Sequence, residues 1–587
     1  MLPLFLSAFL LASSPTTPPD TDWSTPFERS SGNTTATYAQ CIAYYQRLDK
    51  AYKEITVREA GETDSGRPLH EVVISTGGGK ADPATARRQG HRVVLIQNGI
   101  HPGEPEGIDA SMMLARDLVQ KPELRQLLRN TTVVLIPIYN VGGALNRNST
   151  TRVNQNGPES YGFRGNARNL DLNRDYVKQD SRNARSFATL FQRWQPDVFL
   201  DNHTSNGADY QYTMTLIPTQ KDKLHPALSQ YLTAQLLPSL YQGMEQKQWP
   251  LTPYVDFLGR TPDARGLVGF LETPRYSTGY AALFNTIGFV TETHMLKAFA
   301  PRVRATYDFM TVLLQTVQAQ DATLAQARTT AAQQMATQQD FPVAWQLDTT
   351  RAETFTFRGY LGHLKPSEVS GQPRLYYNQQ EPYTKPIPFY NSFRATTTVR
   401  RPTAYLIPQA WGEVVERLRR AGVQLQRLRQ DTTLTADFYH IDDYKTSSRP
   451  YEGHYLHSQV QVTAQPQAVR FLRGDYVAQL NQPAARYLVE VLEPQATDSF
   501  FSWGFFDSIL QQKEHFSDYI FEDLAAELLQ KQPELRQRLE KLKKENAAFA
   551  TNGAAQLEWV YRNSPYYESS YLRYPIARWQ GGALAVE

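Results

Sequence analysis

Three stretches of the chain place metal-binding or proton-moving residues directly beside apolar runs, and a fourth sets an amide beside a guanidinium. "RVVLIQNGIHPGEPEG" sets His101 and Glu104 three positions apart across Pro102-Gly103. "DVFLDNHT" carries His203, "IGFVTETH" carries Glu292, and "ARNLDLNRDY" holds Asn173 and Arg174 side by side. A catalytic zinc takes three protein ligands and keeps one position for water. His101 and Glu104 can grip from one loop, and His203 can close the set from another element. An H-x-x-E pair alone also occurs as ordinary loop polarity; a histidine at the end of a second strand favours the metal reading. Glu292 suits a general base, because zinc lowers the pKa of bound water from about 15.7 to about 7. Its plain alternative is a surface acid or helix cap at a strand end. The arginine fork matches carboxylate oxygens and asparagine adds a neutral donor. Beside a metal, the pair would hold an anionic substrate end; alone, it reads as a solvated loop.

These residues need a scaffold that brings distant positions together. "HRVVLIQNG" and "TTVVLIPIYN" are short continuous apolar runs, as strands buried on both faces are. "DVFLDNHT" and "IGFVTETH" are two further strands. "ASMMLARDLVQ" has helical apolar spacing, and "DSRNARSFATLFQRW" aligns Phe187, Leu190, Phe191 and Trp194 on one helix face. Strands alternating with helices predict an α/β fold with a mixed, mainly parallel sheet flanked by helices over about residues 40–320. In such sheets ligands bind beyond the carboxyl ends of the strands, so residues two hundred positions apart can meet there. After about residue 320 the texture turns to β-like runs and then to aromatic and helical segments. The expected organisation is a signal peptide (1–20), a catalytic domain (21–325), a connector (326–340) and a β-rich accessory domain (341–500). A C-terminal segment (501–587) is expected to pack on the accessory region.

Composition removes several function classes. In 587 residues, 61 Lys+Arg stand against 58 Asp+Glu with no basic run, which argues against a nucleic-acid partner. The single cysteine, Cys41, rules out an intrachain disulfide and any cysteine-based zinc cluster, so a metal must be held by His, Asp or Glu. "MLPLFLSAFLLASSPTTPPD" has the outline of a secretory signal peptide, and no other apolar run is long enough for a transmembrane anchor. An exported protein is expected, with its oligomeric state left open.

Taken together and in order, these motifs resemble the zinc carboxypeptidases of the carboxypeptidase A type. The elements are H-x-x-E in "HPGEPEG", L-N-R in "LDLNRD", the histidine of "DNHT" and T-E in "FVTETH"; "PRYSTGY" is similar to the family's tyrosine loop. The resemblance implies that His101, Glu104 and His203 bind one zinc ion per chain. Glu292 would be the base and then the acid toward the leaving amine. Asn173 and Arg174 would hold the substrate's terminal carboxylate, with Tyr276 closing over it. The family's oxyanion arginine falls on Arg152, because "NVGG" resembles its N-P-D-G; Arg164 and Arg168 are the alternatives. The implied activity is removal of residues from peptides with a free C-terminal carboxylate. The alternatives are zinc hydrolysis of another acyl-amino bond, as in a cell-wall peptide or N-acyl amino acid, and a non-catalytic binding protein on a peptidase scaffold. His454 and His457 stand at H-x-x-H spacing in a β-like setting and are not taken as a second metal site. His294, two residues past Glu292, is left as an outer neighbour of the site.

Overall fold

The computed structural model describes residues 22–77 and 82–587. The expected signal peptide lies outside the described residues. An eight-stranded sheet runs in the order β1-β2-β4-β3-β5-β10-β6-β7. Its strands are β1 (Ile55–Glu62), β2 (Pro68–Ile74), β3 (Arg92–Gln97), β4 (Thr131–Ile136), β5 (Val198–Ser205), β6 (Met214–Pro218), β7 (Leu251–Pro253) and β10 (Ile287–His294). Two short strands, β8 (Asp256–Phe257) and β9 (Leu267–Val268), stand apart as a ribbon. The central four strands, β4, β3, β5 and β10, are mutually parallel. β1, β2 and β6 join antiparallel. The sheet is therefore mixed and mainly parallel at its centre, as expected.

The continuous apolar runs are explained by burial on both faces, because successive strand side chains point to opposite sides. On one face Val94 and Ile96 of β3 and Val198 and Leu200 of β5 join a core formed with helices Tyr38–Ala51, Glu106–Gln120 and Phe299–Ala319. On the other, Val93, Leu95 and Phe199 meet Phe187, Leu190, Phe191 and Trp194 of helix Arg182–Trp194. That helix starts where the Ser181 side chain caps the Ala184 amide, satisfying a donor that has no partner within the helix.

Residues 326–340, expected as a connector, lie largely in helix Asp321–Met335, which buries Leu324, Ala327, Ala331 and Met335. The polar texture had hidden a thin apolar stripe. The β-rich region is also not one sheet. β11 (Asp340–Leu347) pairs with β14 (Phe393–Arg400). The long hairpin β12 (Glu353–Pro366) and β13 (Pro373–Tyr390) adds to the β8–β9 ribbon of the first half. A six-stranded sheet has the order β16-β19-β15-β20-β17-β18. It comprises β15 (Ala404–Ile407), β16 (Gln426–Arg427), β17 (Thr432–Thr446), β18 (His457–Phe471), β19 (Tyr476–Gln479) and β20 (Ala577–Trp579). β20 comes from the C-terminal segment, so that segment supplies part of the sheet as well as packing beside it. The core under helix Arg182–Trp194 continues into Tyr405, Leu418, Tyr487 and Trp503. One hydrophobic core thus spans the two halves.

A buried ion pair ties the loops of the sheet edge together. Arg302 of the helix Phe299–Ala319 is fully buried, and its Nη1 lies 2.5 Å from Glu106 Oε1. Its Nη2 donates to the carbonyls of Asn156 and Gly157, and Thr204 Oγ1 donates to Glu106 Oε2 at 2.6 Å. Removing one partner of such a pair strands the other charge in low dielectric. Arg302→Met is expected to cost about 3–5 kcal/mol of stability in urea unfolding followed by circular dichroism, and Arg302→Met/Glu106→Gln to recover most of it. A loss below about 1 kcal/mol in the single variant would show that the pair is not an anchor.

Candidate metal centre and cleft

β3 ends at Gln97, and the chain turns at Gly99, whose φ of +62° is left-handed and suits a residue without Cβ. Past the strand the pairing with the next segment continues, Tyr139 N donating to Asn98 O at 2.9 Å and Asn140 N to Gly99 O at 3.0 Å. This fixes the base of the loop. Glu104 N then donates to His101 O at 2.8 Å, so His101 and Glu104 occupy the two ends of one tight turn. Gly103 is required for space as well: a Cβ there would come within 2.6 Å of Arg152 Cδ.

His203 lies near the carboxyl end of β5, directly in register with Glu292 on β10. Equal parity puts Phe199, Asp201 and His203 on one face of β5, and Val290 and Glu292 on the same face of β10. His101, Glu104 and His203 are all buried, and one ligand atom from each lies within 4.8 Å of the others. His101 Nδ1 is 3.3 Å from Glu104 Oε1, and His203 Nδ1 is 3.1 Å from Glu104 Oε2. Tetrahedral zinc with bonds near 2.1 Å would hold neighbouring ligand atoms about 3.4 Å apart, so the spacing fits. The buried His101 Nδ1 has no hydrogen-bond partner, as an atom awaiting a metal would.

The far side of each ring meets a carboxylate. His101 Nε2 lies 2.9 Å from Asp171 Oδ1, and His203 Nε2 lies 3.0 Å from Asp201 Oδ2. This carboxylate–histidine arrangement orients metal ligands and raises their basicity. Burial works to raise the Asp171 carboxyl, but the His101 ring and the Arg164 and Arg174 guanidiniums outweigh it and hold it well below the usual range. Burial likewise opposes ionisation of Glu104, yet His101 and Arg152 keep it far below its ordinary value. Glu292 goes the other way. Burial is the main cause, the neighbouring Glu104 charge adds to it, and its pKa is pushed up to about 8.

Of the site residues named from the sequence, His101, Glu104, Arg152, Arg164, Asn173, Arg174, His203, Tyr276 and Glu292 line one cleft of about 510 Å³. Arg152 is pinned by three bonds: Nη1 to Glu104 Oε1 (2.9 Å), Nη2 to Thr204 O (2.9 Å) and Nε to Gln155 Oε1 (2.6 Å). Arg164 is more open and pairs with Asp171 Oδ2 at 2.9 Å. Arg168 is not among the residues that line the cleft and donates to Asp180 O. Arg174 stacks over the Tyr276 ring, 4.5 Å from its centroid. His294 turns away to Ala208 O. His454 and His457 bind separate carboxylates, Asp180 and Asp507. Sequence reasoning passed over Asp171, Asp201 and Glu272. Asp201 carried a usable signal, standing two residues before His203 on β5, because an i, i+2 pair on a strand shares a face; Asp171 instead caps the helical turn Leu172–Arg174. Glu272 lines the cleft, accepts from Thr278 N at 3.0 Å, and is pushed up to about 7 by burial first and by Asp201 second.

Asp171→Asn is expected to lower zinc affinity about 10–100-fold, measured by competition with a chelator. His203→Ala should leave no stoichiometric zinc by elemental analysis. Unchanged metal content in His203→Ala would refute the ligand set.

Residues 41–243 match the family model described as zinc carboxypeptidase. Carboxypeptidase 2 of Trichophyton rubrum is 22% identical over 486 residues, covering 78% of this chain and 82% of that protein. Carboxypeptidase 2 of Trichophyton equinum is 22% identical over 488 residues, with the same shares covered. Among solved structures, a metallo-carboxypeptidase from Burkholderia cenocepacia aligns at 15% identity and TM-score 0.37, covering 49% of this chain and 70% of that one. Carboxypeptidase A from Helicoverpa armigera aligns at the same identity and TM-score, covering 49% and 74%. The family match covers the β3 and β5 ligand loops, and together with the carboxypeptidase relatives it supports a zinc metallocarboxypeptidase activity.

Proposed function

We propose that the protein is exported and removes residues from the free C-termini of peptides. One observation carries this reading: the histidine–glutamate trio, Glu292 and the Asn173–Arg174–Tyr276 group all face the same cleft. A zinc ion held by His101, Glu104 and His203 would supply Lewis acidity and a water acidified to a pKa of about 7. Glu292, beside His203 on the adjacent strand, takes the proton from the attacking water and returns it to the leaving amine nitrogen. Its raised affinity for a proton suits that carrier role. Asn173 and Arg174 receive the terminal carboxylate of the substrate, and the Tyr276 ring, already against Arg174, covers it. Arg152 faces the developing oxyanion, and its three fixed bonds leave little to reorganise during the reaction. Arg164, committed to Asp171, supports the His101 side. Export is supported by the apolar N-terminal stretch with its small-residue end and Ser/Thr/Pro linker. Among the described residues no helix is long and apolar enough to cross a membrane.

Glu292→Gln should retain one zinc per chain while kcat falls at least about 10²-fold; retained turnover would refute its role as base. Arg152→Ala is expected to lower kcat about 10²–10³-fold, and Arg164→Ala to have a smaller effect. The reverse order would move the oxyanion role to Arg164. Peptides with an amidated C-terminus should be cleaved far more slowly than their free-acid forms; equal rates would favour an amide other than a C-terminal peptide bond. N-terminal sequencing of the protein recovered from an expressing culture should find the first twenty or so residues removed, and an intact Met1 would refute export by this route.

A further inference from the structure

The segment joining β17 to β18 leaves its own sheet and reaches the cleft of the first half. Arg174 Nε donates to the Tyr451 hydroxyl at 2.9 Å, while Arg174 Nη1 donates to Asn173 O at 2.8 Å. Two edges of the guanidinium are therefore held. Asp171 N donates to Glu452 Oε2 at 2.8 Å, and it is the Asp171 carboxylate that meets His101 Nε2.

The backbone of this segment is unusual. Tyr451 and His454 bond each other reciprocally, N to O at 2.7 and 3.1 Å, around Glu452 and Gly453. Glu452 has φ +49° and Gly453 φ +83°. Such a two-residue turn asks for left-handed conformations at both positions, which Asn-Gly or Asp-Gly satisfies best. A glutamate there sits in a strained conformation, and strain of this kind persists where the side chain has work to do. Neighbouring contacts hold the turn from both sides. Tyr451 stacks on Trp503, Arg275 lies over both rings and is paired to Asp498, and His454 bonds Asp180.

We propose that the 447–456 turn is part of the active site. Tyr451 is a positioning residue for Arg174, and Glu452 is a positioning residue for Asp171 and, through it, for His101. The second half of the chain thereby completes both the carboxylate clamp and the support of the metal. The inference rests on the reading that Arg174 receives a substrate carboxylate and His101 binds zinc.

The test uses full-length variants, steady-state kinetics on free-acid peptides and their amidated forms, zinc loss to a chelator, and thermal melting. Tyr451→Phe keeps the stacking and removes only the hydroxyl. KM for free-acid peptides should rise roughly tenfold with kcat moved less than about twofold, and amidated peptides should show no KM change. Glu452→Asn gives the turn a better residue, so its melting temperature should not fall, yet zinc should be lost roughly tenfold faster. Glu452→Gln, which unlike the shorter Asn keeps an acceptor oxygen within reach of the Asp171 amide, should restore the zinc hold. An unchanged KM in Tyr451→Phe, or unchanged zinc loss in Glu452→Asn, would overturn the corresponding half of the proposal. Effects that merely track a lower melting temperature would overturn both. Arg174→Gln separates the two levels. If it leaves KM for free-acid peptides unchanged, the proposed function itself fails; if it raises KM and Tyr451→Phe does not, only the role of Tyr451 fails.

Discussion

A carboxylate removed from water must be compensated by cations and hydrogen-bond donors, and the site is organised around Glu104 on that account. Its two oxygens face the His101 and His203 rings; Arg152 and the Thr204 amide approach the same group. The partners come from three elements: the β3 loop, the 152–157 loop and the end of β5, which supplies both His203 and Thr204. Satisfying this one charge therefore sets the relative position of three segments. The Arg302–Glu106 pair, two residues further on, anchors the same loops to the long helix behind the sheet. The cleft is accordingly rigid at its floor, where a metal needs fixed donors.

From that floor the charges alternate outward. The histidines are backed by Asp171 and Asp201, Asp171 is backed by Arg164 and the Glu452 carboxylate holds its amide. Glu292 is the exception: burial and the nearby Glu104 charge outweigh His203, Arg164 and Arg152, and its proton affinity is raised. Two carboxylates in one cleft thus differ in proton affinity because their surroundings differ.

Continuity of the core across both halves gives this arrangement a further consequence. Tyr280 and Phe284 pack on Tyr487 from the second half, while Arg275, next to Tyr276, is clamped by Asp498. The loop around Tyr276 is thus braced by residues more than two hundred positions later. The second half backs the residues that line the cleft, as Tyr451 does for Arg174.

The order of apolar runs and polar ends in the sequence was enough to read the parallel sheet and to nominate the residues that meet at its edge. That reading works because strand parity and the carboxyl-edge rule are local consequences of pattern, and His101, Glu104, His203 and Glu292 each sit at the end of such a pattern. Asp201 was within reach of the same logic, being two residues before His203 on its strand; Asp171, capping the turn Leu172–Arg174, was not. Nor was the packing of the later segments, since composition records how polar a segment is and not what it packs against; the expected connector lies largely in helix Asp321–Met335, which buries Leu324, Ala327, Ala331 and Met335. The pairing of Arg174 with Tyr451 and of Asp171 with Glu452 joins residues 277 and 281 positions apart. No periodicity or motif encodes such contacts. They arise only when the two halves close over one hydrophobic core and carry the β17–β18 turn to the metal site.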